Sequence, residues 1–329
     1  MPALTKNAER ENLQRLKRQN RERPLHLTHM RHQERNADEA TPEMEGIWFE
    51  NMKEVMREID WATEGTALPR EGSFNFLDLG CCPGGFSSYI LKKNPDAVGV
   101  GVSLPDGHNY RLEEELRPRH ELIWADLLRY RLRPTPEGAD LVDLPWGFCC
   151  RQFDLVVLDG HPLRLQKART TSVGPRLLVA QLILSLQTVR RGGTIIVKLS
   201  AVERPDTQAI LYMLDALASQ LTTCKPVSMH ATRDTFYVVA QDVQMEGIPP
   251  ASHGWTLRMD RLLWDLMLRW ATVTFGALVD DLQAWDFVCP HKLLLTTYRK
   301  RLDKLAEPVL RVQCLALEGL RKQELGDGL

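Results

Sequence analysis

The chain has 329 residues, of which 43% are apolar and 26% are charged, and its formal net charge is −1. This composition is typical of a folded globular protein. A net charge near zero argues against a protein that binds nucleic acid over its whole surface, but it is compatible with a local basic patch. No stretch approaches the ~18 uncharged apolar residues of a membrane span, and the seven cysteines include no C-x-x-C pair, so neither a metal site nor a disulfide framework is predicted. The protein is expected to be soluble and cytoplasmic or nuclear.

Three regions are predicted along the chain. Residues 1–41 form a polar, basic arm, interpreted as a solvated tail with phosphate contact as the alternative. Residues 42–248 form the main domain, which opens with a helix over Pro42 to Ile59. Residues 249–329 carry amphipathic patterns without strand signals, which predicts a C-terminal helical extension. The extension is interpreted as core packing, with self-association, a protein partner or stacking on RNA bases as alternatives.

Short apolar runs alternate with helix-like stretches through the main domain. Strands are predicted at Phe74–Leu79, Ala97–Val102, Glu121–Trp124, Phe153–Leu158, Thr194–Leu199 and Thr235–Ala240, and helices at Gly84–Lys93, Arg176–Val189 and Asp206–Leu221. Residues 132–150, rich in Pro and Gly, are predicted to be an inserted loop. Alternating strands and helices predict a mainly parallel sheet covered on both faces, so the fold class is α/β, Rossmann-like and doubly wound.

The strongest motif is the decapeptide Leu77–Phe86, which follows a predicted strand and opens a helix. Its glycines let the backbone pass close to a ligand, and the helix N-terminus presents free N–H groups. The pattern Gly-x-x-Pro-Gly-Gly differs from the phosphate-binding Gly-x-Gly-x-x-Gly. It favours a ligand with a carboxylate and an amine, such as the methionine part of S-adenosylmethionine. The predicted donor-binding residues of this turn are Asp78, Gly80, Cys81, Pro83, Gly84, Gly85 and Phe86.

Polar residues follow the other predicted strands. Ligands of such sheets bind outside the carboxyl ends of the strands, so these residues are expected to converge on one crevice. Ser103, Asp126 and Asp159 are therefore added to the donor-binding set, and Lys198 ends the strand Thr194–Leu199.

The chain resembles the FtsJ-type ribose 2′-O-methyltransferases. The resemblance rests on Leu77–Phe86, on Asp159-Gly-His-Pro162, on Val197-Lys198-Leu199 and on Tyr237-Val-Val-Ala240, and it covers roughly residues 45–242. It implies an S-adenosylmethionine-dependent methyltransferase fold and a catalytic Lys-Asp-Lys-Glu tetrad. By resemblance, Asp159 is the aspartate and Lys198 is the second lysine.

The other two tetrad positions depart from the family pattern. Lys53 is the lysine of the helix ahead of the donor motif, but anchoring on Trp48-Phe49 places Glu50 at the family position. The family glutamate corresponds to Thr235, and the neighbouring Asp234 is assigned as its substitute. Ser103 likewise stands where the family commonly has an acid for the adenosine ribose, with Asp106 as a nearby replacement.

Methyl transfer to a ribose 2′-hydroxyl of RNA is the predicted function. Asp159 orients Lys198, which either takes the hydroxyl proton or stabilises the developing alkoxide, and both roles stay open. The loop after Asp159 carries the cations Arg164, Lys167 and Arg169, which suit an RNA backbone. The alternatives are a degenerate domain that binds donor, RNA or a protein without turnover, and an enzyme acting on a small molecule or protein.

Overall fold

The computed structural model describes residues 6–21, 41–105, 107–132, 134–144, 152–162, 173–249, 256–276 and 284–326. Its helices are α1 (Lys6–Arg21), α2 (Pro42–Ala62), α3 (Gly85–Lys93), α4 (Val173–Thr188), α5 (Pro205–Leu217), α6 (Met259–Phe275), α7 (His291–Thr296) and α8 (Arg299–Gly326). Its strands are β1 (Phe74–Leu79), β2 (Ala97–Ser103), β3 (His120–Trp124), β4 (Phe153–Leu158), β5 (Val189–Ser200), β6 (Ala218–Cys224), β7 (Thr235–Val243), β8 (Glu246–Gly247) and β9 (Leu257–Arg258).

Seven strands form one sheet in the order β3-β2-β1-β4-β5-β7-β6. The pairs from β3 to β5 are parallel, whereas β7 runs antiparallel to both β5 and β6. The parallel strands therefore end at the same edge of the sheet, where the polar residues of the sequence motifs follow them. The predicted α/β fold class is confirmed.

Alternating side chains of the strands divide the core into two layers. Leu77, Leu79 and Val156 point to the layer that contains α4, α5, α6 and α8. Phe76 and Val157 point to the layer that contains α2 and α3. Because successive side chains of a strand face opposite sides, each central strand is apolar on both faces.

Helix α1 packs against α8 and is not a solvated tail as predicted. Leu13 and Leu16 are 2% and 1% exposed and join the larger apolar core. Lys17 forms ion pairs with Glu203 and Asp234 at 3.0 and 2.5 Å. The polar composition of residues 6–21 thus conceals one apolar stripe that needs a partner helix.

The structure also corrects one predicted helix boundary. The helix predicted to run to Leu221 ends at Leu217, and Ala218–Cys224 forms the edge strand β6. An edge strand pairs on one side only, so it does not need the continuous apolar run of a buried strand. Strand β6 accordingly contains the polar residues Ser219, Gln220, Thr222 and Thr223. None of the helices in the described parts of the chain is long and apolar enough to cross a bilayer.

The C-terminal helices share the main core, which yields a stability prediction for helix α6. Trp270 is fully buried in the layer beside α4, whereas Trp264 on the same helix is 49% exposed. We expect Trp270→Ala to lower the free energy of unfolding by about 3–5 kcal/mol, because it leaves a large cavity. Trp264→Ala, the matched control, is expected to cost about 1 kcal/mol or less. Equal losses for the two variants in urea unfolding would contradict this packing.

Candidate active site

Two glycine turns meet at the carboxyl edge of the sheet. Leu79 O accepts the backbone N–H groups of Asp159 and Gly160 at 3.0 and 2.8 Å, which joins the turn after β1 to the turn after β4. Gly80 has φ +85°, and a Cβ at this position would collide with the backbone of Gly160. Gln181 of α4 holds Gly160 from the other side through bonds to its N–H and its carbonyl. The turns can therefore approach because Gly80 lacks a side chain, and the absence of a side chain on Gly160 leaves room for Gln181.

An open cleft lies beside these turns. It is lined by the ends of β1 to β4 and by α4. Of the predicted donor-binding residues, Gly80, Ser103 and Asp126 line it. Asp126 is held in place because its carboxylate accepts the N–H of Leu128 at 2.9 Å. Asp106 lies outside the described residues.

Asp78 is fully buried below the glycine turn. Its Oδ2 accepts the hydroxyl proton of Ser87 at 2.8 Å, while its Oδ1 is buried without a hydrogen-bond partner. Burial raises the pKa of the Asp78 carboxyl to about 7. A buried carboxylate oxygen without a partner is costly, and a cationic amine held at the turn would satisfy it. The residues present therefore fit the amine of S-adenosylmethionine.

The remaining residues of the turn have different places. The Cys82 side chain, not that of Cys81, borders the cleft, and Cys81 is fully buried against the sheet. Gly84 begins helix α3 with φ +112°. A Cβ on Gly85 would lie 2.6 Å from Met52 Cβ, so this glycine permits the close contact of α3 with α2. The five cysteines in the described ranges are free thiols.

Phe86 supports the site from the core and is absent from the cleft lining. Its ring is fully buried and packs edge-to-face on Tyr237, with centroids 5.9 Å apart. Pro83 contributes a backbone contact, since its carbonyl accepts the N–H of Arg111 at 2.9 Å. Both residues thus shape the turn from behind.

Asp159 and Lys198 meet beside Gly160 and His161, two residues that line the cleft. Lys198 Nζ lies 3.1 Å from Asp159 Oδ1 and 2.6 Å from the Asp159 carbonyl oxygen. Tyr237 donates its hydroxyl proton to the same Oδ1 at 2.7 Å. The register explains this meeting, because Lys198 pairs with Tyr237 across the β5–β7 ladder. Burial and the negative charge of Asp159 raise the pKa of Tyr237, which remains a hydrogen-bond donor.

The structure does not bring Lys53 into this cluster. Its Nζ pairs with Glu50 at 2.9 Å and with Glu113 at 3.8 Å, and it lies over the ring of Phe49. Glu50, at the family position, is exposed. The ammonium of Lys53 is thus paired with Glu50 and Glu113 and is not part of the Lys198 cluster.

Asp234 is also directed elsewhere. Its carboxylate binds Lys17 of α1 at 2.5 Å and Gln313 of α8 at 2.8 Å. Burial would raise its pKa, but these two hydrogen bonds outweigh burial and the pKa is lowered. Adjacent residues of a strand face opposite sides, so Thr235, not Asp234, shares the face of Tyr237. The assignment of Asp234 as the substitute acid is therefore not supported by its contacts.

Two histidines near Lys198 were not predicted as site residues. His161 Nδ1 lies 3.1 Å from Lys198 Nζ, and the ring of His230 lies 6.0 Å from that of Tyr237. The quoted motif Asp159-Gly-His-Pro162 contained His161, so its distance of two residues from Asp159 was an available signal. His230 carried no signal, because it lies in an irregular segment between β6 and β7. The predicted RNA-facing cations Arg164, Lys167 and Arg169 lie outside the described residues.

A seven-stranded sheet with this order and one antiparallel strand, carrying a glycine turn over a buried acid, defines an S-adenosylmethionine-dependent methyltransferase fold. The profile of the FtsJ-like methyltransferases matches residues 54–243, more than half of the chain. The chain therefore belongs to the FtsJ-like methyltransferase family, and the resemblance stated from its motifs is confirmed.

Curated relatives come from nematode and fly. The chain is 23% identical over 184 residues to the cap-specific mRNA (nucleoside-2′-O-)-methyltransferase 1A of Caenorhabditis briggsae, covering 54% of this chain and 21% of the relative. The chain is also 23% identical over 184 residues to the protein of the same species named inactive cap-specific mRNA (nucleoside-2′-O-)-methyltransferase 1B. This match covers 54% of this chain and 22% of the relative. For cap-specific mRNA (nucleoside-2′-O-)-methyltransferase 1 of Drosophila melanogaster, identity is 23% over 195 residues, with coverage of 53% and 23%. The chain thus spans less than a quarter of these relatives.

Among solved structures, one described as a ribosomal RNA methyltransferase from Plasmodium falciparum matches with a TM-score of 0.40 and 18% identity. The match covers 57% of this chain and 96% of that one. A TM-score of this size is too low to support a conclusion.

Asp78 gives a pH-dependent prediction for donor binding. With a pKa of about 7, its carboxyl is mostly neutral at lower pH and becomes an anion as pH rises. We expect the affinity for S-adenosylmethionine to increase between about pH 6 and pH 7.5, a range in which the donor's α-amino group stays largely protonated. Asp78→Asn is expected to lower the affinity at the upper pH about tenfold and to remove the pH dependence. Calorimetry at both pH values tests this, and an unchanged profile in the variant would exclude an amine at Asp78.

Proposed function

We propose that this protein transfers the methyl group of S-adenosylmethionine to a ribose 2′-hydroxyl of RNA. The observation that carries the proposal is the contact of Asp159 with Lys198 and Tyr237 beside Gly160 and His161, which line the cleft. Membership of the FtsJ-like family supports the same chemistry. Three relatives named as cap-specific mRNA 2′-O-methyltransferases, one of them inactive, support RNA as the acceptor class.

The donor supplies a methyl group on a positively charged sulfur, which is already activated for displacement. Asp78 and the turn Gly80–Gly85 are proposed to hold its amino-acid end, and Ser103 and Asp126 its adenosine end. The chain must then fix the acceptor oxygen in line with the methyl group and manage its proton. Lys198 is the cationic side chain beside the cleft that serves this purpose, and Asp159 fixes its position.

The hydrogen bonds around Asp159 explain how the lysine is held. Its carboxylate is 8% exposed and accepts from both Tyr237 and Lys198, so a buried charge is compensated on both sides. Phe86 and the β5–β7 register keep Tyr237 in place. A lysine fixed in this way does not reorganise when charge develops on the acceptor oxygen, which is the condition for electrostatic catalysis.

Binding without turnover is the second candidate function. It is favoured by Glu50 and Thr235, which occupy positions where the family has a lysine and a glutamate, and by the ion pairs that keep Lys53 away from Lys198. One curated relative carries the word inactive in its name. A protein of this kind would bind donor and RNA in the same cleft but would show no product.

Substitution of Lys198 separates the two candidates. We expect Lys198→Ala to reduce tritiated methyl transfer onto total RNA by about a hundredfold or more, because acid–base and electrostatic help are lost together. Donor affinity in calorimetry should stay unchanged, since the cleft lining is untouched. Lys300→Ala on helix α8 is the matched control with full activity. Donor binding by the wild type without transfer to any RNA would instead support the second candidate.

RNA binding is expected to weaken steeply with salt. Each phosphate contact contributes a slope of about −0.7 for single-stranded RNA when the logarithm of the association constant is plotted against that of the salt concentration. Fluorescence anisotropy with a labelled oligoribonucleotide at several salt concentrations measures this slope. A flat response would argue for a small-molecule or protein acceptor.

A further inference from the structure

The side chain of Lys198 ends against three acceptors. Nζ lies 2.6 Å from the carbonyl oxygen of Asp159, 3.1 Å from Oδ1 of the same residue and 3.1 Å from Nδ1 of His161. A lysine ammonium has three N–H donors and no acceptor. The three contacts therefore account for all its hydrogens. His161 Nδ1 also lies 3.4 Å from the carbonyl oxygen of Asp159, but because an ammonium cannot accept a hydrogen bond, we assign Nδ1 as the unprotonated acceptor of one Lys198 hydrogen. In this state Lys198 has no lone pair with which to take a proton from a hydroxyl.

His161 connects this lysine with solvent. The side chain of Lys198 is 16% exposed and that of Asp159 is 8% exposed. His161, in contrast, is an exposed residue that also lines the cleft. An imidazole side chain can both accept and release a proton. The contacts thus lead from a largely enclosed amine through an imidazole to water.

We propose that His161 is a positioning residue that acts through Lys198 by holding the amine at the cleft and accepting one of its protons. The inference rests on the proposed methyl transfer and assigns it a proton path. The Lys198 ammonium gives a proton to neutral His161, and the resulting imidazolium releases one proton to water. Neutral Lys198 then takes the proton of the acceptor hydroxyl while its oxygen bonds to the methyl carbon and the carbon–sulfur bond breaks. One proton is released for each methyl group transferred, and the ammonium is restored.

The role proposed for His161 concerns how Lys198 loses its proton. Lys53, the lysine assigned by resemblance to the first tetrad position, is paired with Glu50 and Glu113 and not with the Lys198 cluster. A neighbouring cation that would favour proton loss from the lysine is therefore missing from these contacts. A neutral imidazole does not favour proton loss as a cation would, but it gives the proton a path from the enclosed amine to water.

Other titratable groups around Lys198 also affect how the activity depends on pH. Asp159 faces it from the end of β4, Tyr237 from β7, His230 from the segment before β7, and Asp78 from β1. Burial lowers the pKa of His230 to about 3 and raises that of Tyr237, so both stay neutral at moderate pH. Burial raises the pKa of Asp78 to about 7. Since Asp78 is proposed to bind the donor, kcat must be compared at saturating donor.

Two substitutions of His161 separate holding the lysine from accepting its proton. Asparagine can accept the hydrogen bond of Lys198 but cannot take its proton, whereas alanine does neither. We expect His161→Asn and His161→Ala both to lower kcat about a hundredfold with little change in KM. Added imidazole is expected to restore activity to His161→Ala, increasingly as pH rises and the free base predominates. His291→Ala on helix α7 is the matched control. Full activity of His161→Asn, or no rescue by imidazole, would overturn the proton path.

A measurement without substrate distinguishes failure of this inference from failure of the proposed function. The ¹⁵N NMR signals of His161 should show an unprotonated Nδ1 that accepts a hydrogen bond, and Lys198→Met should shift them. If Lys198→Met left the His161 signals unchanged, the hydrogen bond between His161 and Lys198 would be contradicted, even in an active enzyme. An intact pair in a wild type that methylates no RNA would instead contradict the proposed function.

Discussion

The contact between the turn after β1 and the turn after β4 determines the geometry of the site. Leu79 O accepts two N–H groups from the second turn, and Gly80 and Gly160 leave no room for a side chain between them. This contact places Asp159 at the edge of the cleft and, through the sheet register, opposite Lys198. A side chain at Gly80 would push the two turns apart, and a side chain at Gly160 would displace Gln181, which holds the second turn.

Burial gives this edge its electrostatic character. Asp159 is enclosed but is bonded by Tyr237 and Lys198, so its charge is compensated. Asp78 is enclosed with one oxygen unsatisfied, and burial raises its pKa to about 7. Both carboxyl groups accept from a hydroxyl, but only Asp159 also has a cationic partner, Lys198, within the protein. Asp78, which has one oxygen without a hydrogen-bond partner, is therefore the carboxyl group suited to bind a cationic group of a ligand.

The terminal helices are connected to the segment that precedes β7. Lys17 of α1 and Gln313 of α8 both bind Asp234, which directly precedes the strand that carries Tyr237. These helices lie outside residues 54–243, the part matched by the family. They bury Leu13 and Leu16 in the same apolar layer as α4 and α6. The regions beyond the family match therefore contribute to the core and hold one end of a strand of the site.

Local patterns in the sequence determined the α/β class, the glycine turn and the pairing of an acid with Lys198. Those features depend on apolar periodicity and on residues that must follow parallel strands, both of which are readable within a few positions. Tertiary structure alone decided where Lys53 and Asp234 point, because their orientation depends on Glu113, Lys17 and Gln313 in distant parts of the chain. It also decided that β6 is a strand. The polar sequence of this segment shows no strand pattern, and its hydrogen bonds to β7 are what make it a strand. Side-chain partners remote in sequence leave no periodic signal, so only the folded chain reveals them.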